Sequence, residues 1–222
     1  MTSNSESTHK LLESNVAEKY KQKGYEVIVE PQSKELPFDL GTYRPDLLVK
    51  KSKNEGYIIE VKSTATRTPV ERYREISEMV SQYPGWRFLL VTGQDTLPSI
   101  PEGVEGNLLT WEQILRRKEQ AERLISLGEI EGAFSSLWGI LEALMRRQAE
   151  RVSLPIEQFP TSSLIKHLYS QGELSMEQFD KALALQAIRN RFAHGFQAPE
   201  LGKPLAQLQE VVNDLLRLWG PQ

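Results

Sequence analysis

Apolar residues recur at helical spacing over 9–23, where Leu12, Val16 and Tyr20 precede Gly24, and this predicts an amphipathic helix with a glycine at its C-terminal end. The period then drops to two. YEVIVEP alternates as a strand up to Pro31, and PQSKELPFDLGTY is loop-like. RPDLLVK and YIIEVKS are two further short apolar runs separated by the turn-prone KSKNEG, so they are expected to pair as a hairpin. Residues 69–82 return to a helical pattern that stops before Tyr83-Pro84-Gly85, and WRFLLVT reads as a buried strand. The order is helix, three strands, helix, strand, closed by a Pro- and Gly-rich loop over 94–109.

After Trp111 the strand signal disappears and four helical patterns follow. The strongest covers 129–151, with Ile130, Ala133, Phe134, Leu137, Ile140, Leu141 and Leu144 on one face. Pro155 and Pro160 break it. Thr161 to Tyr169 is a short helix, Met176, Phe179, Leu183 and Ile188 mark another, and the last runs from Pro204 through Leu208, Val212 and Leu215 to Trp219. Two domains are expected, 1–110 and a small antiparallel helical bundle over 111–222.

Composition narrows the class. At 222 residues, 39% hydrophobic and 26% charged, the chain falls among ordinary globular proteins and has no apolar run long enough to cross a membrane. The opening MTSNSEST lacks the apolar core of a signal peptide and is expected to be a disordered polar lead. Without cysteine there is no disulfide framework and no thiolate metal site, which fits a cytoplasmic protein. The net charge of −3 divides evenly, with 14 Lys+Arg against 16 Asp+Glu in residues 1–110 and 13 against 14 in the rest. Phosphate binding must then come from local clusters and a metal rather than from an overall basic field.

The chemistry concentrates in the expected hairpin. A strand presents alternate side chains on one face, so Ile58, Glu60 and Lys62 point one way and Ile59 and Val61 the other. If the RPDLLVK strand pairs alongside, Asp46 reaches the same end of the sheet. Two carboxylates suffice for Mg²⁺, which keeps several waters, and a nearby Lys can position or deprotonate a water and offset charge on a phosphate. The constellation reads as a metal-dependent nuclease centre; a surface ion pair among the same residues is the plainer alternative. Lys50, Lys51 and Lys53 lie in the intervening turn. Arg67, Arg72 and Arg74 follow the second strand; Arg67 and Arg72 are candidate nucleic-acid contacts, although such a charge run also reads as a solvated face.

These elements and the residues Pro45-Asp46 and Glu60-Val61-Lys62 resemble the PD-(D/E)xK restriction-endonuclease-like superfamily. The N-terminal helix, Gly24 and YEVIVEP are most similar to its archaeal Holliday junction resolvase-like branch. The resemblance implies an α/β (α+β) restriction-endonuclease-like domain with a central mixed sheet. It also implies Mg²⁺, or Mn²⁺, held by Asp46, Glu60 and the Val61 carbonyl, with Lys62 as base or water-positioning group. A Glu from the first helix often joins the set in that branch; Glu13 is the candidate here and Glu18 the alternative.

The second half carries Arg189-Asn190 and, after four intervening residues from Arg189, His194. A His can move the proton of a 2′-hydroxyl attack and an Arg can stabilise the charged transition state. Arg189, Asn190 and His194 resemble the motif of the HEPN superfamily of all-α helical bundles, which implies a homodimer with facing motifs. Glu142 is a candidate polar support. His9 and His167 carry no motif. Three readings are therefore open: a Mg²⁺-dependent endonuclease acting on DNA in preference to RNA, in defence or a toxin-like role; a metal-independent ribonuclease using Arg189 and His194; and a noncatalytic nucleic-acid-binding sensor.

Overall fold

A computed structural model of the chain describes residues 3–62, 70–92, 108–152, 160–196 and 200–221. In chain order the elements are α1 (Ser3–Gln22), β1 (Glu26–Val29), β2 (Leu47–Ser52), β3 (Glu55–Lys62), α2 (Val70–Ser81), β4 (Trp86–Thr92), α3 (Trp111–Ser126), α4 (Ile130–Arg151), α5 (Thr161–Ser170), α6 (Met176–Ala193) and α7 (Gly202–Trp219). A single 3₁₀ turn, Ser33–Glu35, interrupts the loop after β1. The architecture is an α+β part with a mixed sheet, then a helical region.

The chain divides into two compact units, Met1–Pro101 with Glu157–Gly172, and Glu102–Ile156 with Glu173–Gln222. In the first, the sheet runs β1-β2-β3-β4. β1, β2 and β3 pair antiparallel, whereas β4 pairs parallel to β3 after the α2 crossover. The hairpin register sets Leu47 against Ile59 and Leu48 against Ile58. Strand alternation sends Leu48, Ile58, Phe88 and Leu90 to one face, where they join Tyr73, Ile76 and Val80 of α2 in a buried cluster. The alternate residues Leu47, Val49, Ile59, Val61, Leu89 and Val91 are also buried. On their side Tyr20 of α1 meets Tyr57 with ring centroids 5.8 Å apart. Burial on both faces accounts for the nearly continuous apolar run of WRFLLVT, interrupted by the half-buried Arg87, and each fully buried aliphatic or aromatic side chain contributes about 1.5–3 kcal/mol.

Three sequence expectations change. In its described part, from Ser3 onward, the expected disordered lead is helical. α3 was unexpected because only Ile114 and Ala121 of its sixteen residues are buried, too few for a periodic stripe; a reciprocal cap between Thr110 and Gln113 starts it. Finally, α5 groups with the first unit instead of the bundle. Arg74 of α2 lies 5.3 Å from the Tyr169 ring centroid, and Gln171 Nε2 donates to the Phe88 carbonyl at 2.9 Å.

In the second unit α3 packs on α4, α4 on α7, and α6 on α7. Ala133, Phe134, Leu137, Ile140, Leu141 and Leu144 of α4 are all buried, as the helical stripe requires.

Candidate active site

β2 and β3 bring the three hairpin residues to one end of the sheet. Asp46 stands just before β2, and its Oδ2 accepts the backbone N–H of Val61 at 2.6 Å. Val61 lies between Glu60 and Lys62, so this bond ties the first carboxylate to the segment carrying the other two groups. Lys62 Nζ is 2.6 Å from Glu60 Oε1. The remaining oxygen, Glu60 Oε2, accepts the Tyr43 hydroxyl at 2.7 Å.

The electrostatics are those of crowded, partly dried acids. Burial raises the Asp46 pKa and the Glu60 charge adds to it, while the Val61 N–H pulls the other way. Burial also raises Tyr43, reinforced by the adjacent Glu60 carboxylate. For Lys62, burial favours the neutral amine, but the hydrogen bond and charge of Glu60 outweigh it and hold the pKa above its usual value.

α1 delivers a further acid. Glu13 belongs to the helix face that buries Leu12, Val16 and Tyr20, and only 5% of it is exposed. Its Oε1 is buried without a hydrogen-bond partner. Desolvation raises its pKa first, and the neighbouring charges of Asp46 and Glu30 raise it further. Glu18 is exposed and interacts with Gln22 one turn on, so Glu13 is the α1 carboxylate placed near Asp46.

Among the described residues no group of three His, Cys, Asp or Glu side chains is gathered closely enough to hold a metal ion. A hard cation that keeps its waters does not require such a group. The buried, unsatisfied oxygen of Glu13 beside a second raised carboxylate is a cost that a divalent cation would relieve, so the donor set fits such an ion.

Sequence reading missed Tyr43 and passed over His9. Tyr43 acts on a residue 17 positions away, which periodicity does not reveal. His9, one helical turn before Glu13, has Nε2 3.8 Å from Asp46 Oδ1. The other basic candidates lie apart. Lys50 and Lys51 stand in β2 rather than in the turn, and they are engaged in ion pairs, Lys50 with Glu26 at 3.1 Å and Lys51 with Glu55 at 2.9 Å. Arg72 is exposed on α2, and Arg67 is outside the described residues.

In the second unit, α6 ends where its sequence breaks. His194 is the C-terminal cap, Gly195 turns with φ +75°, and Phe196 N–H returns to the Arg191 carbonyl at 3.0 Å. Arg189 Nη1 donates to Asn190 Oδ1 at 3.2 Å. Asn190 and His194 are exposed and Arg189 is half-buried; Glu142 is half-buried on α4.

A mixed sheet flanked by helices, with two acids and a lysine at the end of a hairpin, is the arrangement of a restriction-endonuclease-like protein. The chain belongs to the archaeal Holliday junction resolvase-like (AHJR-like) restriction-endonuclease family, whose model matches residues 1–124. The family is one of nucleases, and membership implies nucleic-acid binding. Comparison with curated proteins and with solved structures gives no match.

Proposed function

We propose that the first unit is a Mg²⁺-dependent endonuclease acting on DNA, in the cytoplasm, in defence or a toxin-like role. The observation that carries this reading is the meeting of Asp46, Glu60 and Lys62, with the Asp46 carboxylate locked on the N–H of the residue between the other two. Asp46, Glu60 and the Val61 carbonyl, with Glu13, would hold the ion. Bound Mg²⁺, or Mn²⁺, supplies polarisation of a phosphoryl oxygen and a water of lowered pKa. Lys62 brings a positive charge to the same end of the sheet, where it offsets charge developing on the phosphoryl oxygens and orients the attacking water. Tyr43 fixes the Glu60 carboxylate through its second oxygen, the supporting role that outer hydrogen bonds play around metal ligands. Arg67 and Arg72 remain candidate contacts to flanking phosphates.

A second reading is supported by the end of α6, where Asn190 and His194 reach solvent beside Arg189 at a helix break. It is a metal-independent ribonuclease of HEPN type, formed by a homodimer through the helical half.

Cleavage of linear and branched DNA and of single-stranded RNA, in Mg²⁺ or EDTA, separates the two. The expected result is metal-dependent DNA cutting by the parent protein, lost in Lys62→Ala and retained in His194→Ala. RNA cutting that persists in EDTA and disappears in His194→Ala would move catalysis to the bundle. Binding of DNA without cleavage in any condition, unchanged in both variants, would leave a noncatalytic sensor.

A further inference from the structure

A cavity of about 480 Å³ opens beside Asp46, lined by Pro31, Gln32, Ser33, Arg44 and Pro45 together with Glu30. We propose that it is a subsite for one unstacked nucleotide of the strand being cut, so that the enzyme acts where a nucleotide beside the scissile phosphate lacks a pairing partner. This inference rests on the nuclease reading of Asp46, Glu60 and Lys62, and deepens it by naming the substrate's local form.

Position comes first. Asp46 lines the cavity and also anchors the catalytic segment through the Val61 N–H, so whatever fills the cavity lies next to the reacting centre. Size agrees, since the volume falls within the roughly 300–1,000 Å³ of small-ligand pockets. The walls are held in place. Glu30 takes the left-handed backbone conformation, φ 47°, unusual for a residue with a side chain, and its N–H bonds the Asp46 carbonyl at 2.8 Å. Gln32 N–H is bonded to Glu35 Oε2 at 2.7 Å. Arg44 Nη1 donates to the carbonyls of Gly41 and Tyr43, both at 2.8 Å, which fixes the guanidinium before a substrate arrives.

The lining chemistry selects a base over a phosphate. Two proline rings supply apolar surface, and Gln32, Ser33 and the Glu30 carboxylate supply hydrogen-bonding groups for a base edge. The Glu30 charge repels a phosphate inside the cavity, whereas Arg44 offers a cationic contact to the backbone of the nucleotide that enters. A base within a continuous duplex is stacked and paired, and the energy of extracting it falls when it is already unpaired.

The test is equilibrium binding by fluorescence anisotropy, with Ca²⁺ replacing Mg²⁺ to suppress cutting. Two labelled DNA duplexes are compared, one fully paired and one with a single unpaired nucleotide. The parent is expected to prefer the unpaired form by roughly 10- to 100-fold, because a paired base must first be unstacked and unpaired at a cost of a few kcal/mol. Ser33→Trp, an exposed position whose new ring fills the cavity, should lose the preference with unchanged affinity for the paired duplex and an unchanged melting temperature. Arg44→Ala should weaken both complexes. Equal affinities in the parent, or a preference that survives in Ser33→Trp, would overturn the subsite while leaving the nuclease reading intact. Failure to bind either duplex, with no cleavage in Mg²⁺, would overturn the nuclease reading itself.

Discussion

Glu60 has both carboxylate oxygens engaged, one by Lys62 and one by Tyr43. Tyr43→Phe removes the second contact without changing shape. Loss of such a supporting bond around a metal ligand typically costs about 10- to 100-fold in metal affinity or activity; the Mg²⁺ concentration needed for half-maximal cleavage should rise by that order while the fold persists. Lys62→Met should lower the cleavage rate by about 100-fold or more. Its melting temperature should also fall, because Glu60 is only 11% exposed in its side chain and would keep the Tyr43 bond alone. Glu13→Gln is expected to do the opposite. Removing a desolvated charge next to Asp46 and Glu30 should raise the melting temperature in EDTA and abolish the increase that Mg²⁺ gives the parent protein. Asp46, Glu60 and Lys62 were legible in the sequence because strand alternation and ligand chemistry are both local. Glu13 depended on a family resemblance, and Tyr43 escaped because its partner is brought by the fold.

The hairpin and β4 owe their alignment to one glycine. Gly85 turns with φ +89°, and a Cβ there would lie 2.4 Å from the Asn54 carbonyl in the β2–β3 turn. Its own carbonyl accepts Gly56 N–H at 3.1 Å, at the start of the register that ends with Lys62 beside Thr92. Gly85→Ala combines a forbidden backbone conformation with a backbone clash, so urea denaturation should show a loss of more than about 1 kcal/mol. Strands and amphipathic helices with wide apolar faces were readable along the chain. β4 is the clearest, because a parallel strand covered on both sides is apolar at nearly every position. α3 was not, since its register depends on what it packs against and only two of its side chains are buried.

At the level of the whole molecule, two differently patterned halves were legible from the change of period near Trp111, but the membership of α5 was not. That helix is amphipathic wherever it docks, and nothing within it specifies α2 and β4 as its neighbours. It also carries the clearest pH handle. His167 is fully buried, and desolvation pushes its pKa down to about 3. Between pH 6.5 and 3 the unfolded chain therefore holds a proton that the folded chain excludes, and stability falls as the pH is lowered through that window. From pH 7 to pH 5 this histidine should remove about 2 kcal/mol of unfolding free energy. Denaturant titrations at the two pH values should show that difference in the parent and a smaller one in His167→Leu.

The bond from Gln171 to the Phe88 carbonyl spans 83 residues, and it sets an order of events during synthesis. At roughly 5–20 residues per second, the ribosome adds the segment that covers β4 and α2 about 4–17 s after β4 itself. The strands and α1 that carry Asp46, Glu60, Lys62 and Glu13 are made before that segment, so their unit gains α5 only after this delay. A nascent chain released before that point would carry the acids and the lysine on an unfinished support, so premature termination yields a protein poor in the rigidity that phosphodiester cleavage demands.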